Sequence, residues 1–417
     1  MRILLTTFGS LGDIHPYIAL ALELKRRGHI PILATSGFYR PKVEALGIEF
    51  RPLRPDQPDL EADPDFMHRM MDLRKGPQNV IEGFIVPVLR ETYADTLAAA
   101  EGVDLLVSHM LTFATRMVAE QRGLPWVSTM LAPLGFFSAY DPPALAPAPF
   151  ISRLRFLGPM FYRPLWNMAA WSVRNWTKPI HQFRAEIGLP PAPDPLFAGQ
   201  HSPKLVLAMF SPLFAQQQRD WPTQTKVTGF PFFDQDGSAE LPPELARFLE
   251  EGEPPIVFTL GSAAVHAAGA YFQQSAEAAK RLNRRAVLLV GKETKNHLPD
   301  LPPGIIACDY APFSALFPRA AAIVHQSGIG TTGQALQSGR PMLIVPYAHD
   351  QADNAERCAK LGVARVLGRR RYSADTAARE LGKLLIDSRY ANRAHDVGAA
   401  IRRETGVKNA CDALEQV

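Results

Sequence analysis

The sequence predicts an α/β protein of two doubly wound parallel-sheet halves. Three observations carry that reading. Short apolar runs alternate with helical stretches over residues 1–53, the alternation returns over residues 256–345, and a proline-rich join from Phe230 to Pro255 separates them. Strand and helix signals in alternation imply βαβ units. Their strands are covered on both faces and read as continuous apolar runs.

The first half opens with Arg2 to Phe8, an apolar strand, followed by the tight turn Gly9-Ser10-Leu11-Gly12-Asp13. Pro16 to Arg27 is predicted as a helix stopped by Gly28, with Ile30 to Thr35 and Ile48 to Leu53 as the next strands. Arg54 to Arg90, rich in Pro, Asp and Met, reads as a long loop over the sheet. Asp104 to His109 and Trp126 to Leu131 are later strands around a helix, Phe113 to Gln121. Pro133 to Pro195 is dense in proline at both ends. Between them it carries Phe156, Phe161, Tyr162, Trp166, Trp171 and Trp176 among Arg153, Arg155, Arg163 and Arg174. The second half places strands at Ile256 to Leu260, Ala286 to Val290, Gly304 to Ala307, Ala320 to Val324 and Met342 to Val345. Tyr390 to Ala413 reads as a last, amphipathic helical stretch.

Composition narrows the function. The 417 residues are enough for two domains, each with its own core. Hydrophobic residues at 47% and charged residues at 21% describe a soluble globular protein. A net charge of +4 is small for this length and gives no case for a nucleic-acid partner. No run of ~18 apolar residues offers a membrane span. Met1 to Phe8 enters a strand directly, so it is not read as a signal peptide. Cys308, Cys358 and Cys411 are too few and too scattered for a disulfide frame or a zinc site. A reducing cytoplasm fits.

The chemistry concentrates between Tyr310 and Glu356. Ala320 to Val324 leads into His325, a turn holding Gly328 and Gly330 follows, and Thr331 to Ser338 is predicted as a helix that Gly339 and Pro341 stop. Strand, glycine turn and helix N-terminus make an anion site, because free amides and the positive helix end point at the turn. His325, at the strand's carboxyl end, is placed to donate to a phosphate oxygen. The next strand leads at once to His349-Asp350-Gln351. One crevice thus receives phosphate donors from one loop and sugar-type hydrogen-bonding groups from the next.

Tyr310-Ala311-Pro312, His325 with its turn, Gly339-Arg340-Pro341 and Asp350-Gln351 stand in that order. The set resembles the donor-binding signature of family 1 glycosyltransferases. The resemblance implies the GT-B fold, two Rossmann-like domains facing across a cleft. It implies residues 1–230 as the acceptor domain, 231–389 as the nucleotide-sugar domain, and 390–417 as a helix crossing back to the first. By the same resemblance Tyr310 stacks on the base and Ala311 reads its edge through the backbone. Ser262 donates to the β-phosphate, Gly328, Ile329, Gly330 and Thr331 bring amides to the diphosphate, and Asp350 and Gln351 hold sugar hydroxyls.

Glycosyl transfer to an alcohol needs a base near the acceptor and a stabilised leaving diphosphate, which the His325 loop can provide without a metal. Gly12-Asp13-Ile14-His15-Pro16 matches the Gly-Asp-x-x-Pro of glycopeptide and sterol glycosyltransferases, where most plant members carry His. Asp13 takes the base position by that likeness. The competing reading is that it N-caps a helix starting at Ile14 or His15, but with the donor signature present the base is favoured. Asp104, Ser108 and His109 stand near where the acidic partner of a histidine base would come, yet an aspartate base needs none.

Gln217-Gln218-Arg219-Asp220-Trp221-Pro222 and Thr228-Gly229-Phe230-Pro231 resemble the bacterial rhamnosyltransferases that build rhamnolipids. UDP-sugar enzymes usually carry a glutamate early in the helix after the glycine turn, where it grips both ribose hydroxyls. Here Gly333 and Gln334 stand instead. The expected co-substrate is therefore a dTDP-sugar, dTDP-rhamnose first, with no cofactor and no metal. The acceptor is expected to be the hydroxyl of an apolar small molecule or lipid. The Trp- and Arg-bearing segment suits plain core and lid helices, an apolar pocket, or peripheral contact with a membrane. Three other readings stay open: a UDP-glucose-dependent enzyme of a sterol, flavonoid or antibiotic aglycone, a nucleotide-sugar 2-epimerase, and a non-catalytic nucleotide-sugar-binding homologue. The epimerase would need a second acid/base set, and intact Asp13 and Asp350-Gln351 argue against the last.

Overall fold

The computed structural model describes residues 1–58, 62–63, 65–233 and 240–417. The chain divides into two compact units, the first Met1–Met70, Arg74–Phe233 and Thr405–Val417, the second Met71–Leu73 and Asp234–Glu404.

The first unit holds a seven-stranded sheet: β1 Arg2–Thr6, β2 Ile30–Thr35, β3 Glu49–Pro52, β4 Leu105–Ser108, β5 Trp126–Met130, β6 Leu205–Ala208 and β7 Thr225–Val227. Their order is β3-β2-β1-β4-β5-β6-β7, and every pairing is parallel. Ile3, Leu4, Leu5, Leu106 and Val107 are completely buried, as central strands covered on both faces must be. Each such side chain stabilises the fold by roughly 1.5–3 kcal/mol relative to leaving it exposed. The strand order reverses between β1 and β4. That reversal opens a crevice beyond their carboxyl ends.

The second unit repeats the plan with six strands: β8 Ile256–Thr259, β9 Ala286–Leu289, β10 Ile305–Cys308, β11 Ala322–His325, β12 Met342–Ile344 and β13 Ala364–Val366. The order is β10-β9-β8-β11-β12-β13, again parallel throughout, with the reversal between β8 and β11. The doubly wound expectation holds for both halves.

Three local expectations are corrected. The helix after β1 starts at Leu11, not Pro16, because Ser10 caps it and Asp13, at its third position, accepts from the Ser10 backbone N–H. The supposed loop of residues 54–90 is helical over much of its length, with Phe66–Met70 and Asn79–Ile85 leading into Leu89–Ala99. Ile81, Ile85, Leu89 and Tyr93, spaced by four, all enter the core of the first unit, and that helical spacing overrides the polar composition. The last helical stretch is two helices. Ser388–Ile401 belongs to the second unit, and only Gly406–Leu414 lies with the first. There Arg27 reaches Asp412 at 2.7 Å, Glu415 at 2.9 Å and the carbonyl of Lys408 at 3.1 Å.

Candidate active site

At the reversal point of the first sheet, the loop after β1 and the loop after β4 meet. Asp13 Oδ2 accepts from the Ser10 backbone N–H at 2.9 Å and from the Ser10 hydroxyl at 3.2 Å. Gly9, at φ 120°, makes room for it: a Cβ there would stand 2.5 Å from that oxygen. The second oxygen, Oδ1, lies 3.7 Å from Nε2 of His109, with about a third of the Asp13 side chain open to solvent.

His109 is buried, its ring set edge-to-face against Phe8 and Tyr17. The Leu111 backbone N–H donates to Nδ1 at 3.3 Å. An acceptor Nδ1 puts the proton of the neutral ring on Nε2, the nitrogen facing Asp13. Burial lowers the pKa of His109, and the nearby Asp13 charge only partly opposes that. The pair is therefore a carboxylate with one oxygen clamped and the other beside a neutral N–H. The other candidates lie elsewhere. Asp104 accepts from the Arg2 backbone N–H at 2.7 Å, at the amino end of the strands. His15 accepts from Lys42 at 2.8 Å, and burial, then the Lys42 charge, lowers its pKa to about 3.

The second reversal point carries the two glycine turns, Gly261-Ser262 after β8 and Gln326 to Gly330 after β11. Gly328 caps the helix Ile329–Ser338, whose first turn has no acidic residue. Ile329, Gly330 and Thr331 occupy its first three positions, where backbone N–H groups lack partners in the helix. His325 does not face this opening. Its ring is fully buried, Nδ1 accepts from the Ser327 backbone N–H at 3.1 Å, and Nε2 lies 3.2 Å from Met342 Sδ. Burial lowers its pKa to about 3.

Successive strand residues point to opposite faces, so Gln326 takes the direction that His325 lacks. A Cβ on Gly261 would stand 2.4 Å from Gln326 Nε2, and one on Gly328 2.9 Å from the same atom. The Gln326 amide thus lies between both turns, and its Oε1 is buried with no hydrogen-bond partner. The sequence reading passed over this residue.

Asp350 and Gln351 reach the same region with different roles. Gln351 Oε1 accepts from the backbone N–H groups of Tyr347 and Ala348 at 2.8 and 3.1 Å, holding its own loop. Asn354 donates to Asp350 Oδ2 at 2.7 Å and to the Ser327 carbonyl at 2.9 Å. It ties the Asp350 loop to the glycine turn. Tyr310 stands exposed and Ala311 buried, so a ring face is presented while the backbone beside it is fixed. Partly buried Arg369 stacks 4.0 Å over Tyr347 and donates to the Ala267 carbonyl. Among the described residues no three His, Cys, Asp or Glu side chains gather as a metal site.

Residues 3–134 match the glycosyltransferase family 28 N-terminal domain, and residues 274–407 match the C-terminal domain of the erythromycin biosynthesis protein CIII-like family. The chain is 34% identical over 431 residues to the O-mycaminosyltylonolide 6-deoxyallosyltransferase of Streptomyces fradiae, covering all of this chain and 97% of that one. It is 28% identical to the sterol 3-beta-glucosyltransferase of Neurospora crassa over 99% of its own length, spanning 27% of that longer protein. The solved spinosyn rhamnosyltransferase superposes over the whole of both chains with a TM-score of 0.71 at 18% identity. With two parallel-sheet units and full-length likeness to a named glycosyltransferase, the chain belongs to the family 1 glycosyltransferases of GT-B fold.

Proposed function

We propose that this glycosyltransferase moves a 6-deoxyhexose, rhamnose first, from a dTDP-linked donor to a hydroxyl of an apolar small-molecule or lipid acceptor, with inversion and without a metal. The observation that carries the reading is the Asp13–His109 pair at a reversal point, one carboxylate oxygen clamped and the other left for chemistry. The acceptor O–H gives its proton to Asp13 Oδ1, and its oxygen attacks the anomeric carbon from the face opposite the diphosphate. The anomeric C–O bond breaks, and the leaving diphosphate takes the electron pair. The free amides at Gly328 to Thr331 and the Gln326 amide meet that charge. Gln326 takes over the phosphate contact expected of His325, which instead fixes the turn. Ser262 and Asp350 keep their proposed places at the β-phosphate and the sugar. Gln351 serves by shaping the Asp350 loop.

The 6-deoxy sugar is supported by the Streptomyces fradiae relative, whose name records a 6-deoxyallosyl donor. The base is argued from Gly333 and Gln334. Gly333 offers no side chain, and the buried Gln334 Oε1 has no protein partner, which suits one neutral hydrogen bond from a single ribose hydroxyl. A UDP-sugar presents two hydroxyls, for which a carboxylate gives charge-assisted bonds of roughly 1.5–3 kcal/mol. The sterol 3-beta-glucosyltransferase likeness supports UDP-glucose as the second reading. Competing dTDP-rhamnose against UDP-glucose on one accepted aglycone separates them. A higher kcat/KM for dTDP-rhamnose is expected, and a tenfold or larger advantage for UDP-glucose, about 1.4 kcal/mol, would overturn the donor assignment.

A further inference from the structure

The long helix Gly158–Glu186 of the first unit has two unlike faces. Tyr162 and Trp166 are buried with Ala139, Phe137 and Ile151, and further on Ile180 and Phe183 enter the main core. The other face is apolar and uncovered. Met160 is 91% exposed, Met168 61% and Trp171 65%, and Phe156, just before the helix, is 78% exposed. Met160, Pro164, Met168 and Trp171 follow one another at intervals of four, four and three, which places them on one stripe. Seven of the sixteen large hydrophobic residues that stand exposed among the described residues fall between Phe150 and Trp171. Apolar surface gathered in this way marks a contact.

Charge says what it contacts. From Pro142 to Ala185 there is no Asp or Glu, while Arg153, Arg163, Arg174 and Lys178 stand exposed around the stripe. The Arg174 guanidinium sits 4.0 Å over the Trp171 ring, an aromatic face and a cation offered together. A second copy of the chain would set this positive surface against itself. No described helix is long and apolar enough to cross a membrane, and an apolar stripe flanked by cations suits a helix lying along a lipid surface. We propose that this face seats the protein on an anionic lipid surface, with Phe156, Met160, Met168 and Trp171 entering the headgroup boundary and the surrounding arginines and lysine meeting lipid phosphates. The inference does not rest on the sugar or the acceptor that the enzyme uses.

The test is co-sedimentation of the full chain with phosphatidylcholine vesicles, with and without phosphatidylglycerol. Binding to the anionic vesicles alone is expected, and it should fade at about 1 M salt, where the screening length falls to about 3 Å. The combined variant Phe156→Ser, Met160→Ser, Trp171→Ser should lower vesicle partition by about tenfold or more while keeping the parent melting temperature, since all three side chains are exposed. A second variant, Arg163→Glu with Arg174→Glu, should lose the preference for phosphatidylglycerol. Equal binding to both vesicle types, no binding to either, or an unchanged partition in the serine variant would each overturn the proposal. A dimer that dissolves in the serine variant, with no vesicle binding by the parent, would overturn it in favour of a second copy.

Discussion

The two reversal points share one plan but carry different side chains. In each sheet the strand order turns back on itself, and a glycine-bearing loop feeds a helix whose N-terminus faces the crevice. Asp13 is the third residue of the first helix, and Thr331 is the third residue of the second. The carboxylate in the first turn fills the positive helix end from within, which suits the base role proposed for it. The threonine leaves the second end unfilled, a site ready for an anion. On the proposed reading, one side chain at matched positions divides the labour between the units.

Three experiments break or sharpen this contrast. The largest effect is expected from Asp13→Asn, which keeps shape and removes the base. Turnover should fall by ~10²–10⁴-fold with the dissociation constant for dTDP nearly unchanged. Near-normal turnover would end the assignment of Asp13 as base.

Thr331→Asp makes the second helix imitate the first. Like charges brought together cost several kcal/mol, so dTDP should bind about 100-fold more weakly, as calorimetry would read. Unchanged affinity would show that the diphosphate does not use this helix end.

The smallest effect is expected at His109, whose proposed action is through Asp13. His109→Leu should lower kcat by about tenfold with little change in KM, and His109→Gln, which keeps an N–H donor, should recover part of it. Stability gives a second readout. Burial holds the folded-state pKa of His109 below its unfolded value of about 6.5, so its contribution is present above that pH and is lost as the pH falls below it. Either variant should therefore flatten the acid side of the melting-temperature profile. A profile identical to the parent's would mean that His109 titrates as freely in the fold as in the unfolded chain.

Most of the architecture was legible because buried parallel strands leave apolar runs that survive without any tertiary knowledge. Ile256 to Leu260 and Met342 to Val345 were found to within a residue or two of β8 and β12. The glycine turn was legible for the same local reason. What escaped depended on distance or on a single-residue change of direction. Asp13 and His109 are far apart in sequence and meet only because β1 pairs with β4. The sequence places His109 near the position of a base's partner, but an aspartate base needs none, so only the fold brings the two together. His325 was legible by its place at the carboxyl end of the strand, but the side-chain direction that buries it and leaves Gln326 between the two turns was not. Pro and Asp in residues 54–90 concealed a four-residue apolar spacing that was present in the sequence.

The helix Gly406–Leu414 has a consequence for how the protein comes into being. Its buried Ala410, Cys411, Ala413 and Leu414 belong to the first unit, yet the whole of Asp234–Glu404 is translated before them. At synthesis rates of roughly 5–20 residues per second, the nascent first unit waits on the order of ten seconds or more with that face uncovered. The second unit has every one of its strands available before the first unit receives its last helix. The unit that starts first is finished last, and the surface where Arg27 meets Asp412 and Glu415 is the last of it to form.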